Sequence, residues 1–108
     1  MSTIAKKITA LVADPAGLRA WLEAQPEAES FRAVSSYWCP LACYITARLD
    51  LEPANVSVGS TIVTVSWEYP PSELPHWAQV FVGAVDGYGD KAEVSRDQAL
   101  ACFDRGNV

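Results

Sequence analysis

The chain has 108 residues, of which half are hydrophobic and 10% are aromatic, and it carries a net charge of −5 with a pI near 4.6. This length fits one domain, residues 1–108, with a packed core, and the apolar content excludes general disorder. The acidic balance, in which Lys6 and Lys7 are the only adjacent cations, argues against direct binding to nucleic acid or to an anionic membrane surface.

Two short helices are predicted in the first quarter of the chain. Thr3 is placed to cap the first, whose apolar stripe consists of Ile4, Ile8, Leu11 and Val12. Asp14-Pro15 is a second start signal, because a capping carboxylate precedes a proline at the first helical position. The second helix ends near Pro26, so this region is a helical hairpin or one helix broken at Asp14.

A weak strand over Phe31–Ser35 is predicted to precede a central helix. This helix runs from about Pro40 to Leu49, because proline suits a first helical position, where its missing N–H is not needed. A turn then covers Asp50 to Asn55.

The clearest strand signal is the alternation of side chains over Val56–Tyr69. Gly59 interrupts it and marks either a bulge in one long strand or a tight turn between two short ones. Pro70-Pro71 ends the strand, since proline cannot continue the ladder of hydrogen bonds.

Two more helices are predicted in the last third of the chain. Pro75 opens the most regular one, which ends at Gly87 and Gly89. Ser95 and Gln98 form a capping box for the last helix, which ends at Gly106. The predicted fold is therefore α+β, with a small antiparallel or mixed sheet of two to three strands packed by four to five short helices. Val56–Tyr69 would form the sheet, with Phe31–Ser35 as an additional strand.

Cys39 and Cys43 flank the predicted start of the central helix, one turn apart and on one face. The positive end of the helix dipole favours a thiolate there, so thiol redox chemistry is one interpretation. The redox signature has two intervening residues, however, and here there are three. Free cysteine often packs as a small apolar group, and we expect that role here.

A metal site is a second interpretation of the same thiols. Cys39, Cys43 and His76 offer soft ligands for Cu(I), and Cys102 would complete a set that zinc accepts. Structural zinc sites usually contain two close pairs of ligands, whereas His76 and Cys102 each stand alone. We therefore expect no metal and no other cofactor.

Three aromatic residues, Tyr37, Trp38 and Tyr88, fall in predicted turns. Exposed Tyr and Trp side chains in loops are typical anchors of protein interfaces. The alternative is that these three cover the ends of a small core.

These features favour a non-enzymatic protein-binding or regulatory module whose partner is another protein; a homo-oligomer is compatible with them too. One specific version is an acidic inhibitor that occupies the nucleic-acid groove of its partner. The alternative is a thiol redox or metal-handling protein, with Zn or Cu(I), that uses Cys39 and Cys43. The odd number of cysteines predicts a reducing cytoplasm, and no segment has the length of a membrane span or the apolar core of a signal peptide.

Overall fold

Five α-helices and two small antiparallel sheets make up residues 3–67 and 70–106, the part of the chain that the computed structural model describes. The predicted α+β fold is confirmed. In chain order the elements are α1 (Thr3–Val12), α2 (Pro15–Glu23), β1 (Ser30–Arg32), α3 (Pro40–Leu49), β2 (Val56–Val58), β3 (Ile62–Val65), β4 (Ser72–Glu73), α4 (His76–Asp86), β5 (Glu93–Ser95) and α5 (Arg96–Gly106), with a 3-10 turn at Pro53–Asn55. None of these helices is long and apolar enough to cross a membrane.

Local capping interactions explain where the helices begin. The Asp14 carboxylate accepts a hydrogen bond from the Ala16 N–H at 3.1 Å, and the Cys39 sulfur accepts one from the Ala42 N–H at 3.5 Å. A proline follows each of these caps and occupies the first helical position. Ser95 and Gln98 form the predicted capping box, since each side chain bonds the other residue's N–H.

The predicted strand over Val56–Tyr69 is a hairpin of β2 and β3. The chain reverses after Gly59, whose N–H donates to the Ile62 carbonyl at 2.8 Å, so Gly59 marks a tight turn and not a bulge. Residues 68 and 69 lie outside the described part of the chain. Beyond Pro71 the chain returns as β4, an unpredicted strand that pairs with β3.

The strand predicted over Phe31–Ser35 is shorter than expected and lies in a different sheet. It covers Ser30–Arg32 as β1 and pairs with the unpredicted strand β5, with Phe31 opposite Val94. The expectation that it extends the β2–β3 sheet is wrong. The chain leaves the extended conformation at Val34, where φ is +52°, so no strand can continue to Ser35.

The central helix α3 contacts both sheets through β1 and β2 and also packs on α1 and α2. Its buried residues include Leu41 and Ile45, and its Tyr44 ring lies 5.6 Å from that of Trp21. Helix α4 packs on α5. The segment that joins β1 to α3 is hydrogen-bonded to Val58 of β2, to Ala92 just before β5, and to Asp86 at the end of α4.

Candidate functional site

Residues 33–38, which we call the 33–38 turn, join β1 to α3 and contain the most unusual backbone conformation in the site. Val34 has a φ of +52°, in the left-handed region that a β-branched side chain rarely enters. Such a conformation costs on the order of 1–3 kcal/mol and persists only where surrounding contacts impose it. Here the Val34 N–H donates to Oδ1 of Asp86, in the last turn of α4, at 2.8 Å.

Backbone hydrogen bonds from two other segments hold the 33–38 turn on either side of Val34. The Ala33 N–H donates to the Ala92 carbonyl at 2.9 Å, and the Lys91 N–H donates to the Ala33 carbonyl at 3.1 Å. The Ser36 carbonyl accepts a hydrogen bond from the Val58 N–H of β2 at 2.8 Å. The turn is thus held by α4, by the segment before β5 and by β2.

The 33–38 turn is also closed internally. The Trp38 N–H donates to the Ser35 hydroxyl at 3.1 Å, and the Arg32 N–H donates to the Trp38 carbonyl at 3.0 Å. The Cys39 N–H donates to the Ser35 carbonyl at 3.3 Å. Because nearly every residue of the turn makes a hydrogen bond, we expect a rigid backbone.

Large apolar side chains project from this rigid backbone into solvent. Trp38 is 54% exposed, Val34 49% and Tyr37 44%. Trp38 also borders an open cleft of about 360 Å³, which Cys43 and residues 29–32 complete. The structure therefore brings two of the three predicted interface residues, Tyr37 and Trp38, into one exposed feature.

Tyr88, the third predicted interface residue, lies in the turn after α4 and is 38% exposed. It lines a separate cleft together with Ala84, Gly87 and Arg105. This cleft shares no lining residue with the one beside Trp38, so Trp38 and Tyr88 line different clefts.

A smaller pocket of about 130 Å³ lies beneath the 33–38 turn, and we call it the Asp86 pocket. Its lining comes from residues 34–36, residues 58–60, Cys39, Val82 and Asp86. Neither Asp86 nor Val34 was predicted from the sequence as a site residue. For Asp86 a signal was present, because a carboxylate in the last turn of a helix opposes the helix dipole and is unfavourable unless something compensates for it.

The thiols of Cys39 and Cys43 are arranged in a way that opposes thiolate formation. Burial raises the pKa of Cys39 to about 11, against the lowering effect of its hydrogen bond from the Ala42 N–H, and the Asp86 charge raises it further. Burial raises the pKa of Cys43 to about 12, and charges at Cys39 and Glu29 add to the increase. The predicted benefit of the helix N-terminus is therefore outweighed by desolvation.

The proposed metal ligands are not brought together. Within residues 3–67 and 70–106, no group of three or more His, Cys, Asp or Glu side chains is placed so that it could hold a metal ion. His76 is exposed at the start of α4, whereas Cys102 is buried in α5. All three cysteines are free thiols.

The 33–38 turn and the Asp86 pocket combine a strained backbone with hydrogen bonds from three distant segments, and we take them as the candidate functional site. In comparisons with known proteins, no family model, no curated protein and no solved structure matches this chain.

Proposed function

We propose that this chain is a non-enzymatic protein-binding or regulatory module, and that the 33–38 turn is its docking surface. The observation that carries the proposal is the strained conformation of Val34, which Asp86 holds in place at the centre of an exposed apolar turn. Backbone strain at a surface position is commonly retained where it serves binding or catalysis.

The exposed side chains are suited to contact with another protein. Tyr and Trp are enriched among the residues that dominate binding energy at interfaces. A rigid backbone below them reduces the conformational entropy that is lost on binding. Tyr37 and Trp38 meet both conditions, since the turn that carries them is held from three sides.

The acidic character of the chain favours a basic partner. A charge of −5 on 108 residues accelerates association with a positively charged surface and opposes association with an acidic one. One version of the proposal is an inhibitor that occupies the nucleic-acid groove of its partner. A cytoplasmic location fits this version, because an odd number of cysteines fits a reducing compartment better than a disulfide framework.

The alternative function, thiol redox or metal handling by Cys39 and Cys43, has less support. A redox or metal-binding thiol needs an accessible thiolate, whereas burial raises the pKa of both thiols. No observation on the described residues specifically favours this alternative.

The test compares two exposed tryptophans. Trp38 and Trp67 have nearly equal exposure, 54% and 56%, but Trp67 follows β3 and does not lie in the 33–38 turn. Tagged wild type, Trp38→Ala and Trp67→Ala would be used to capture partners from a lysate of the source cells, with quantification by mass spectrometry. We expect a protein that is retained by wild type and Trp67→Ala and reduced at least tenfold by Trp38→Ala.

Two outcomes would contradict the proposal. One is that wild type retains no protein above the background of the tag. The other is that Trp38→Ala retains every protein as well as Trp67→Ala does. Light scattering of the purified chain separates a further case, since a dimer that Trp38→Ala dissociates would identify a second copy as the occupant of the surface.

A further inference from the structure

The Asp86 pocket differs from the two other clefts described above in that its only formal charge is negative. Its lining includes the valine residues 34, 58 and 82 and the serine residues 35, 36 and 60. Asp86 is the only lining residue with a formal charge at neutral pH. The lining of the pocket is therefore a mixture of polar and apolar residues with a negative charge at one point.

The Asp86 carboxylate has no cationic partner in the part of the chain that the structure describes. Oδ1 accepts the Val34 N–H, and none of the ion pairs among the described residues includes Asp86. The residue is half-buried, so water compensates its charge only in part.

The position of Asp86 in the fold strengthens the negative potential of the pocket. Asp86 is the last residue of α4, where the helix dipole places the equivalent of about half a negative charge. A cation in the pocket would therefore be attracted by the carboxylate and by the helix end together.

The composition of the pocket favours one kind of cationic side chain. A lysine side chain beyond its Cβ is an unbranched chain of three methylenes and an ammonium group, and the pocket of about 130 Å³ has room for its end. The guanidinium of arginine is planar and holds its donors in a rigid fork, whereas the lysine ammonium is a compact point charge with three rotatable donors. The valine residues suit the methylenes, and Asp86 with the serine residues suits the three ammonium donors.

The pocket also adjoins the proposed docking surface. Residues 34–36 line it, and the next two residues along the chain are Tyr37 and Trp38. A protein that packs on these aromatics would bring its neighbouring side chains to the mouth of the pocket.

We propose that the Asp86 pocket receives a lysine side chain of the partner protein. This inference rests on the proposed function and deepens it, since it specifies a basic partner that presents a lysine beside the apolar contact with Trp38. The turn then provides two adjacent recognition elements, one aromatic and one acidic.

The direct test uses a capped lysine, Nα-acetyl-lysine methylamide, as the probe in a two-dimensional NMR titration of the full chain. We expect amide shifts that saturate and are largest at Val34 and residues 58–60. The uncharged control, Nα-acetyl-norleucine methylamide, has the same carbon chain without the ammonium and should cause at least tenfold smaller shifts. The proposal would be overturned if the capped lysine caused no larger shifts at these residues than the norleucine control does.

Matched variants assign the binding to the pocket. Asp86→Asn removes the charge but keeps an oxygen that can accept the Val34 N–H, and it should weaken binding of the capped lysine at least fivefold. Asp90→Asn removes the same charge from an exposed residue that does not line the pocket and should leave the binding unchanged. If both variants weakened binding of the capped lysine equally, the net charge of the protein would explain the attraction, and the proposal would be contradicted.

A second pair of variants does not alter Asp86. Ser60 is exposed at the rim of the pocket, and the neighbouring Thr61 is exposed outside it. Ser60→Leu should narrow the pocket and reduce lysine binding, whereas Thr61→Leu should not. If Ser60→Leu binds the probe as well as Thr61→Leu does, the pocket is not the site.

The capture experiment separates this inference from the proposed function. If Trp38→Ala loses the partner while Asp86→Asn retains it fully, the docking surface stands and the lysine pocket is wrong. If the capped lysine binds as expected but Trp38→Ala retains the partner, the pocket stands and the proposed docking surface is wrong.

Discussion

The backbone amide of Val34 and the carboxylate of Asp86 are joined by a 2.8 Å hydrogen bond across 52 residues of sequence. This bond connects the turn before α3 to the end of α4 and stabilises a backbone conformation that valine rarely adopts. Substitutions at the two residues test separate properties, because the strained backbone is at Val34 and the negative charge is at Asp86.

Val34→Gly should raise the free energy of unfolding by about 0.5–1 kcal/mol. The left-handed conformation costs a residue with a Cβ about 1–2 kcal/mol, which glycine avoids. Glycine loses about 0.5–1 kcal/mol of this gain, because its greater conformational freedom stabilises the unfolded chain. Urea denaturation measures the difference, with Val34→Ala as the control that keeps the Cβ. A Gly variant that is about 0.5–1 kcal/mol less stable than the Ala variant would show that the turn is not strained.

Asp86→Ala should lower the free energy of unfolding by about 0.5–1.5 kcal/mol, the net contribution of a typical hydrogen bond, because the Val34 N–H exchanges its acceptor for water. Asp86→Asn should be less destabilising, since its amide oxygen can take the same position. Thermal and urea unfolding of the two variants provide the comparison. Should both variants lose equal stability, the charge of Asp86 and not its hydrogen bond would be the stabilising feature.

The stability of the protein should fall as the pH rises above about 9. The pKa of Cys39 is about 11 and that of Cys43 about 12 in the folded chain, compared with an ordinary value of 9.0. Below pH 9 both thiols are protonated in the folded and unfolded chains, and their contribution to stability is complete. Between pH 9 and the folded pKa values the unfolded chain binds fewer protons than the folded chain, so stability decreases.

The measurement for this prediction is the free energy of unfolding as a function of pH, compared between wild type and Cys43→Ala. The variant should lose stability less steeply above pH 9, because one of the two thiols that favour unfolding at high pH is absent. Identical slopes would mean that Cys43 ionises as easily in the folded chain as in the unfolded one.

Native thiols should react slowly with a disulfide reagent near neutral pH. A pKa about two units above its ordinary value leaves roughly a hundredfold less thiolate, and burial of Cys39 and Cys102 restricts access in addition. We expect Cys39 and Cys43 to react at least a hundredfold faster after denaturation in guanidinium, and Cys102 to react faster because unfolding exposes it. A native thiol that reacts as fast as free cysteine would restore the redox interpretation.

The sequence predicted the helices well because their start signals are local. Asp14-Pro15 and Cys39-Pro40 each place a cap beside a proline, and the capping box of α5 lies within four residues. The partner of β1 was not predictable in this way. Phe31 pairs with Val94 across 63 residues, and both strands are only three residues long, too short for a clear alternation.

Two side chains of the candidate site, Tyr37 and Trp38, could be selected from the sequence, but the backbone conformation of the site could not. Turn signals around Tyr37 and Trp38 made both residues interface candidates, with covering of the core ends as the alternative, and both side chains are exposed. The conformation of Val34 has no sequence signal, because left-handed positions usually carry glycine or asparagine. Here a distant carboxylate imposes that conformation on valine, a tertiary effect that local propensity does not include.

Three segments that follow the 33–38 turn in the chain hold its conformation, so the turn cannot take its final shape before they fold. Val58, Asp86 and Ala92 all follow the turn in the chain by 20 residues or more, so their partners in the turn are synthesised first. A nascent or truncated chain would carry Tyr37 and Trp38 without the groups that position them. If the proposed function is correct, the chain can therefore engage its partner only after its last third has folded.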